Sequence, residues 1–150
     1  MFTLEETAES RIVYLRRTGA YGAANNTHME KLKSWAATHK LLRPDTAVLG
    51  IARDDPATTP PHACRYDTCL LVPDDTGIQD PEIREARLTG GPHAVLTVPH
   101  TAEALQQAWS TLFRDLTAHG HALDTTRPVL ERYRPDLLAQ HLCEICVPVH

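Results

Sequence analysis

Glu131 lies in Arg127-Pro128-Val129-Leu130-Glu131-Arg132-Tyr133, a short run whose residue types otherwise read as a β-strand. Strand side chains alternate between faces, so Val129, Glu131 and Tyr133 share one face and Leu130 and Arg132 the other. If the Val129 face turns inward, Glu131 is a carboxylate among apolar and aromatic neighbours. Such an acid is costly unless something pairs with it, and burial raises its pKa. A cationic or hydrogen-bonding ligand would meet that need, and an acid of raised pKa can also serve as a general acid or base. If the face turns outward, Glu131 is a solvated charge beside Arg132 and Arg134. The spacing alone leaves both readings open.

Aromatic residues make up only 5% of the chain, so each is a candidate to accompany that acid. Tyr66 and Tyr133 could donate a hydrogen bond to a ligand or orient a water, with core or rim packing as the plainer alternative. Tyr21 sits in the turn Gly19-Ala20-Tyr21-Gly22, and Trp35 and Trp109 fall on the apolar stripes of two helices. The four cysteines, Cys64, Cys69, Cys143 and Cys146, invite a zinc or redox reading through Cys143-Glu144-Ile145-Cys146. That segment reads as a strand, however, and an i, i+3 pair on a strand points to opposite faces. Buried free thiols with no metal, no disulfide and no cofactor are therefore expected. The histidines are scattered through loops and helix ends. No Ser-His-Asp, Cys-His or metal arrangement supports a general hydrolase.

The elements that must position Glu131 follow from periodicity and turn chemistry. Strands are expected over 11–18, 47–52, 64–72, 85–89, 93–98, around 131 and over 141–149. One helix is expected to end near His39, with Thr27-His28-Met29-Glu30 as a capping box at its start and Met29, Leu32, Trp35 and Ala36 as its stripe. The second is clearer: Leu105, Ala108, Trp109, Leu112, Phe113 and Leu116 keep helical spacing, Thr101 can cap the start and Gly120 can end it. Arg134-Pro135-Asp136 reads as a turn.

The order is strand, helix, strand, strand, given twice. The halves, about 8–80 and 81–149, echo each other: Asp67-Thr68-Cys69 matches Glu144-Ile145-Cys146 as acid-x-Cys. At 150 residues the chain holds one real core and not two independent domains. The expectation is thus one α+β domain over 1–150. Two βαββ repeats related by pseudo-two-fold symmetry would join into one antiparallel sheet with both helices on one face.

A formal net charge of −4, with no long basic run, argues against nucleic acid or an anionic membrane as the main partner. The segment Met1–Arg11 carries three glutamates and no apolar run, unlike a signal or transit peptide. No stretch approaches the roughly 20 apolar residues of a membrane span. A cytoplasmic, bacterial protein is expected.

The ordered set of local motifs resembles the GyrI-like small-molecule-binding domain over nearly all of residues 8–149. It comprises Gly19-Ala20-Tyr21, Gly50-Ile51-Ala52-Arg53-Asp54-Asp55-Pro56, Cys64-Arg65-Tyr66-Asp67-Thr68-Cys69, Gly90-Gly91-Pro92-His93-Ala94-Val95, Trp109, Arg127 to Tyr133, and Ile145-Cys146-Val147-Pro148-Val149. The family includes DNA gyrase inhibitors and the effector-binding domains of multidrug-responsive transcription activators. The resemblance implies a ligand groove between the halves, with Glu131 facing the ligand and Tyr133, Tyr66, Trp109, Tyr21 and His93 as companions. It implies a stand-alone binder of amphipathic aromatic compounds, cations among them. Two alternatives stay open. One is a narrow hydrolase of strained cyclopropane-bearing natural products, with Glu131 and Tyr133 catalytic. The other is a DNA gyrase inhibitor acting on a protein partner, gyrase or a separate regulator. His93 stands where the family more often has Tyr or Lys, so ligand identity does not carry over. The sequence shows no helix-turn-helix segment.

Overall fold

The computed structural model describes residues 2–150. Strands β1 (Phe2–Thr7) and β2 (Ser10–Thr18) lead to helix α1 (Ala23–Thr38), then β3 (Val48–Ala52) and β4 (Arg65–Leu71). Strand β5 (Arg84–Leu88) leads to β6 (Gly91–Pro99), α2 (Ala102–Ala118), β7 (Leu130–Tyr133), the one-turn helix α3 (Pro135–Leu138) and β8 (Leu142–Pro148). All eight strands form one sheet in the order β1-β6-β8-β7-β3-β4-β2-β5, antiparallel throughout. Read from either edge, this order exchanges β1 with β5, β6 with β2, β8 with β4, and β7 with β3. That is the pseudo-two-fold expected of two βαββ units, and β3 and β7 form the seam where they meet.

The register shows which face the helices cover. Leu15, Thr68, Gly50, Glu131, Ile145 and Leu96 fall in one row across the sheet. Helix α1 buries Met29, Leu32 and Ala36 against Val13, Leu15 and Leu70, which share that face. Helix α2 buries Leu112 and Leu116 against Ala94, Ile145 and Val147, also on that face. Both helices therefore lie on the Glu131 side, α1 over β2 and β4, α2 over β6. The seam runs between them.

Three local departures have physical reasons. Strand β1 lies outside the expected strands: it is a sheet edge, and the sequence Phe2-Thr3-Leu4-Glu5-Glu6-Thr7 carries the charges that edges tolerate. Helix α1 starts at Ala23 and not at Thr27; its N-cap is Gly22, with no side-chain cap. Ala23 and Ala24 favour helix, and Arg17 Nη1 ties the entry to β2 by donating to Ala20 O at 2.8 Å and Asn25 Oδ1 at 2.9 Å. Arg134-Pro135-Asp136 continues into α3, with Pro135 in the first turn where its missing N–H does no harm. Helix α2 keeps the expected ends: Ala104 N donates to Thr101 Oγ1 at 3.1 Å, and Gly120 follows the helix at φ +84°.

The face away from the helices is curled. The β1–β2 and β5–β6 turns meet there so closely that a Cβ on Gly90 would lie 2.6 Å from Glu9 N. This face also holds the acid-x-Cys echo. Asp67 on β4 is fully buried and accepts from Arg16 Nε (2.8 Å), Arg16 Nη2 (2.9 Å) and Arg53 Nε (2.8 Å). Glu144, at the equivalent place on β8, accepts from Arg132 Nε at 2.8 Å and pairs with Arg134 at 3.3 Å. Burial alone would raise the Asp67 pKa, but the hydrogen bonds and charges of Arg16 and Arg53 win and hold it below the usual carboxylate range. A depressed folded-state pKa contributes stability that is present above the unfolded value and lost as pH falls through the folded one. Asp67→Asn should therefore destabilise the protein at pH 7, toward the low end of about 3–5 kcal/mol because both arginines remain partly solvated. In urea unfolding, the gap between wild type and variant should close as the pH is taken below the ordinary aspartate range. A gap independent of pH would refute the clamp.

Candidate functional site

Glu131 projects from the seam strand β7 into the space between the helices. Its carboxylate is held from both ends: Tyr66 Oη donates to Oε1 at 3.0 Å, and Tyr133 Oη donates to Oε2 at 2.9 Å. Tyr133 stands two residues along the same strand and so on the same face. Tyr66 comes from β4 and has to reach across β3. Gly50, directly opposite Glu131 in the β3–β7 register, makes the crossing possible. A Cβ there would lie 2.8 Å from Tyr66 Cζ, closer still to the hydroxyl oxygen, and 3.4 Å from Glu131 Oε1. The missing side chain is thus the space in which the tyrosine hydroxyl sits.

Burial pushes the Glu131 carboxyl above its ordinary value, and the two tyrosine hydrogen bonds oppose that shift only in part. Burial, followed by the neighbouring carboxylate charge, drives both tyrosines upward. Both phenols therefore stay protonated and act as donors. Among the described residues Glu131 meets these two neutral hydroxyls and no cation.

The aromatic surface continues on both sides. The Tyr21 ring meets Tyr66 edge-on at 6.0 Å, fixed by its hydroxyl donating to Arg65 O at 2.7 Å. The His100 ring lies 5.5 Å from Tyr133. Thr68, next to Gly50 in the same row, is fully buried with Oγ1 unpartnered. The structure thus joins Glu131, Tyr133, Tyr66 and Tyr21 into one array.

Trp109 packs on the α2 side against the cluster of Ala94, Leu112 and Ile145, beside Phe113 at 6.1 Å. His93, expected beside Glu131, stands apart from the array. Ala94 and Leu96 face α2, so strand alternation turns His93 to the curled face. There it is 3% exposed, with Nδ1 3.1 Å from Thr7 Oγ1. The same parity separates Cys143, in the cluster under α1, from Cys146 on the curled face. Burial pushes these thiols up to about 11 and about 12. Gly50 is not among the site residues expected from sequence. An isolated glycine inside Val48-Leu49-Gly50-Ile51-Ala52 is the signal that could have found it, since glycine in a strand interior marks a close approach.

The profile of the GyrI-like small-molecule-binding domain matches residues 1–150. YosT, an SPbeta prophage-derived protein of Bacillus subtilis named as a candidate transcriptional regulator, is 35% identical over 98% of this chain and 97% of its own length. Among solved structures, EcmrR in its DNA complex superposes with a TM-score of 0.79 at 14% identity, covering all of this chain and 57% of that one. SAV2435 bound to tetraphenylphosphonium superposes with a TM-score of 0.58 at 14% identity, over 94% of its length. At these identities the structural likeness is one of fold.

The close approach over the seam gives a direct test. Gly50→Ala should expel the Tyr66 hydroxyl from its place and destabilise the fold by about 1–3 kcal/mol, as overpacking does. Tyr66→Phe in the same background should recover part of that loss, because it removes the atom that clashes. Equal effects of Gly50→Ala with and without Tyr66→Phe, measured by denaturant unfolding, would show that the hydroxyl does not occupy this space.

Proposed function

The chain belongs to the family of the GyrI-like small-molecule-binding domain, and from that premise we propose that it holds amphipathic aromatic compounds, cations among them, against Glu131. The observation that carries this reading is a half-buried carboxylate whose hydrogen-bond partners are both neutral. Two hydroxyls orient the acid but leave its charge uncompensated in a poorly solvated place. A cation brought there gains Coulomb attraction that water would largely screen at the surface. The half-buried ring of Tyr21, beside the buried rings of Tyr66 and Tyr133, offers flat apolar contact, and an aromatic face attracts the same cation.

The two tyrosines also set the geometry of capture. Each takes one lone pair of the carboxylate, and the remaining lone pairs have no donor among the described residues. Because both phenols stay protonated, the charge is not shared away to them by proton transfer. The site discriminates by charge at one point and by shape elsewhere, which suits a range of bulky ligands.

Tetraphenylphosphonium, the cation held by the structural neighbour SAV2435, is a suitable probe, with neutral triphenylphosphine oxide as its control. In titration calorimetry, Glu131→Gln should weaken tetraphenylphosphonium binding by about 1.5–3 kcal/mol, roughly ten- to a hundredfold, and leave the neutral control unchanged. Mass spectrometry of the incubated probe should return it intact. The pH dependence has a definite sign. Glu131 has a raised folded-state pKa, so cation affinity should fall as pH is lowered through that value, where the charge is lost. The same raised pKa means that the acid favours folding below its unfolded pKa, and that this contribution is lost as pH rises. Glu131→Gln should thus gain stability relative to wild type on going from pH 4 to pH 7. Unchanged affinity for the cation in a folded Glu131→Gln protein would end the counter-charge role.

A further inference from the structure

We propose that the curled face of the sheet carries a second ligand site, for a short-chain aliphatic carboxylate, back to back with Glu131 through the thickness of β7. Alternation along β7 places Leu130 and Arg132 opposite Glu131, and both line a cavity of about 90 Å³ under the meeting of the β1–β2 and β5–β6 turns. This site is independent of the reading given above for Glu131, which is not among the residues lining this cavity.

The lining is divided chemically. Leu49, Leu88 and Leu130 supply an apolar floor, and the charged lining residues are two arginines, Arg127 and Arg132, with no carboxylate. Arg132 is fully committed: Nε donates to Glu144, and Nη1 and Nη2 donate to Glu5 at 2.8 and 2.9 Å. Arg127 is not. Its side chain is 7% exposed, Nε donates to Asp124 Oδ2 at 2.7 Å, and Nη2 donates to Pro92 O and Val149 O, each at 2.9 Å. Nη1 is buried and has no partner. The guanidinium packs on Gly91, at φ +138°, where any Cβ would lie 2.8 Å from Nη1.

A buried guanidinium N–H without an acceptor loses the free energy of a charge-assisted hydrogen bond, so a ligand that supplies the acceptor gains that free energy on binding. A carboxylate oxygen is the matching acceptor, and leucines leave a hydrocarbon chain as the matching remainder. The volume sets the size. About 90 Å³ is well below the roughly 300–1,000 Å³ of drug-sized pockets, so bulky aromatic compounds suited to the Glu131 side do not fit. A butyrate-sized acid does. A cation finds no carboxylate among the lining residues to pair with.

The test is a titration of the ¹⁵N-labelled full chain with sodium butyrate, read as amide shifts, with n-butylammonium chloride at equal ionic strength as the control of opposite charge. Butyrate should shift Thr7, Leu88, His93 and Leu130 saturably, and n-butylammonium should not. Arg127→Gln should weaken butyrate binding by about ten- to a hundredfold. That change also removes the Asp124 contact, so Leu88→Phe provides a second arm: it fills the apolar end, leaves Arg127 in place, and should abolish the same shifts. Glu131→Gln should bind butyrate as wild type does, so failure here and failure of the cation site are read separately. No saturable shifts with butyrate, equal shifts with n-butylammonium, or shifts that persist in folded Leu88→Phe would each overturn the proposal.

Discussion

Everything distinctive in this molecule depends on one contact across a seam: a carboxylate on β7 held by a tyrosine hydroxyl that crosses β3. A half-buried acid with no cation beside it is an expense that a fold does not ordinarily carry. Two hydroxyl donors reduce it, but burial still prevails in the direction of the Glu131 pKa. The donors must arrive from opposite sides to engage both oxygens. One is available on the same strand at Tyr133. The other has to come from β4, and only a residue without a side chain on the intervening strand lets it through. Glu131, Gly50 and Tyr66 are therefore a single device distributed over three strands.

Duplication accounts for where that device sits. The sheet order is symmetric about the β3–β7 seam, and the supporting structure on the curled face is symmetric too. Asp67 and Glu144 occupy matching places, each gripped by two arginines. These clamps use buried, paired charge to fix the two half-sheets. The helix face obeys the same symmetry in its helices but breaks it at the axis, where Gly50 faces Glu131. A strictly symmetric seam would have placed either two acids together, which repel, or two glycines, which recognise nothing. Breaking the symmetry at one position converts a joint into a site.

Much of the scaffold was legible because it rests on local rules. The α2 stripe, Thr101 as its cap and Gly120 past its end follow from periodicity and capping, and the structure keeps all three. The acid-x-Cys echo survives because β4 and β8 hold equivalent positions. Where neighbours decide, local rules fell short. The start of α1 is set by Arg17 reaching Ala20 and Asn25, and β1 pairs with a strand about 90 residues away, through a sequence whose charges disguise it. Strand parity could have separated His93 from Glu131, since Ala94 and Leu96 are the apolar positions of β6. The partnership of Tyr66 with Glu131 was beyond any local rule, because it depends on the order of strands in the sheet.

The seam strand itself links the two faces. On β7 the side chains of Leu130 and Arg132 point away from Glu131, so the strand that carries the acid also forms the wall of the cavity behind it. Arg132 is pinned by Glu5 of β1 and Glu144 of β8, while Tyr66 reaches over from the other half to bond Glu131. A four-residue strand held on both faces by partners from both halves has little freedom to move alone. The strand bearing Glu131 is thus tied to both half-sheets, by the ion pairs of Arg132 on one face and by the Tyr66 hydrogen bond on the other.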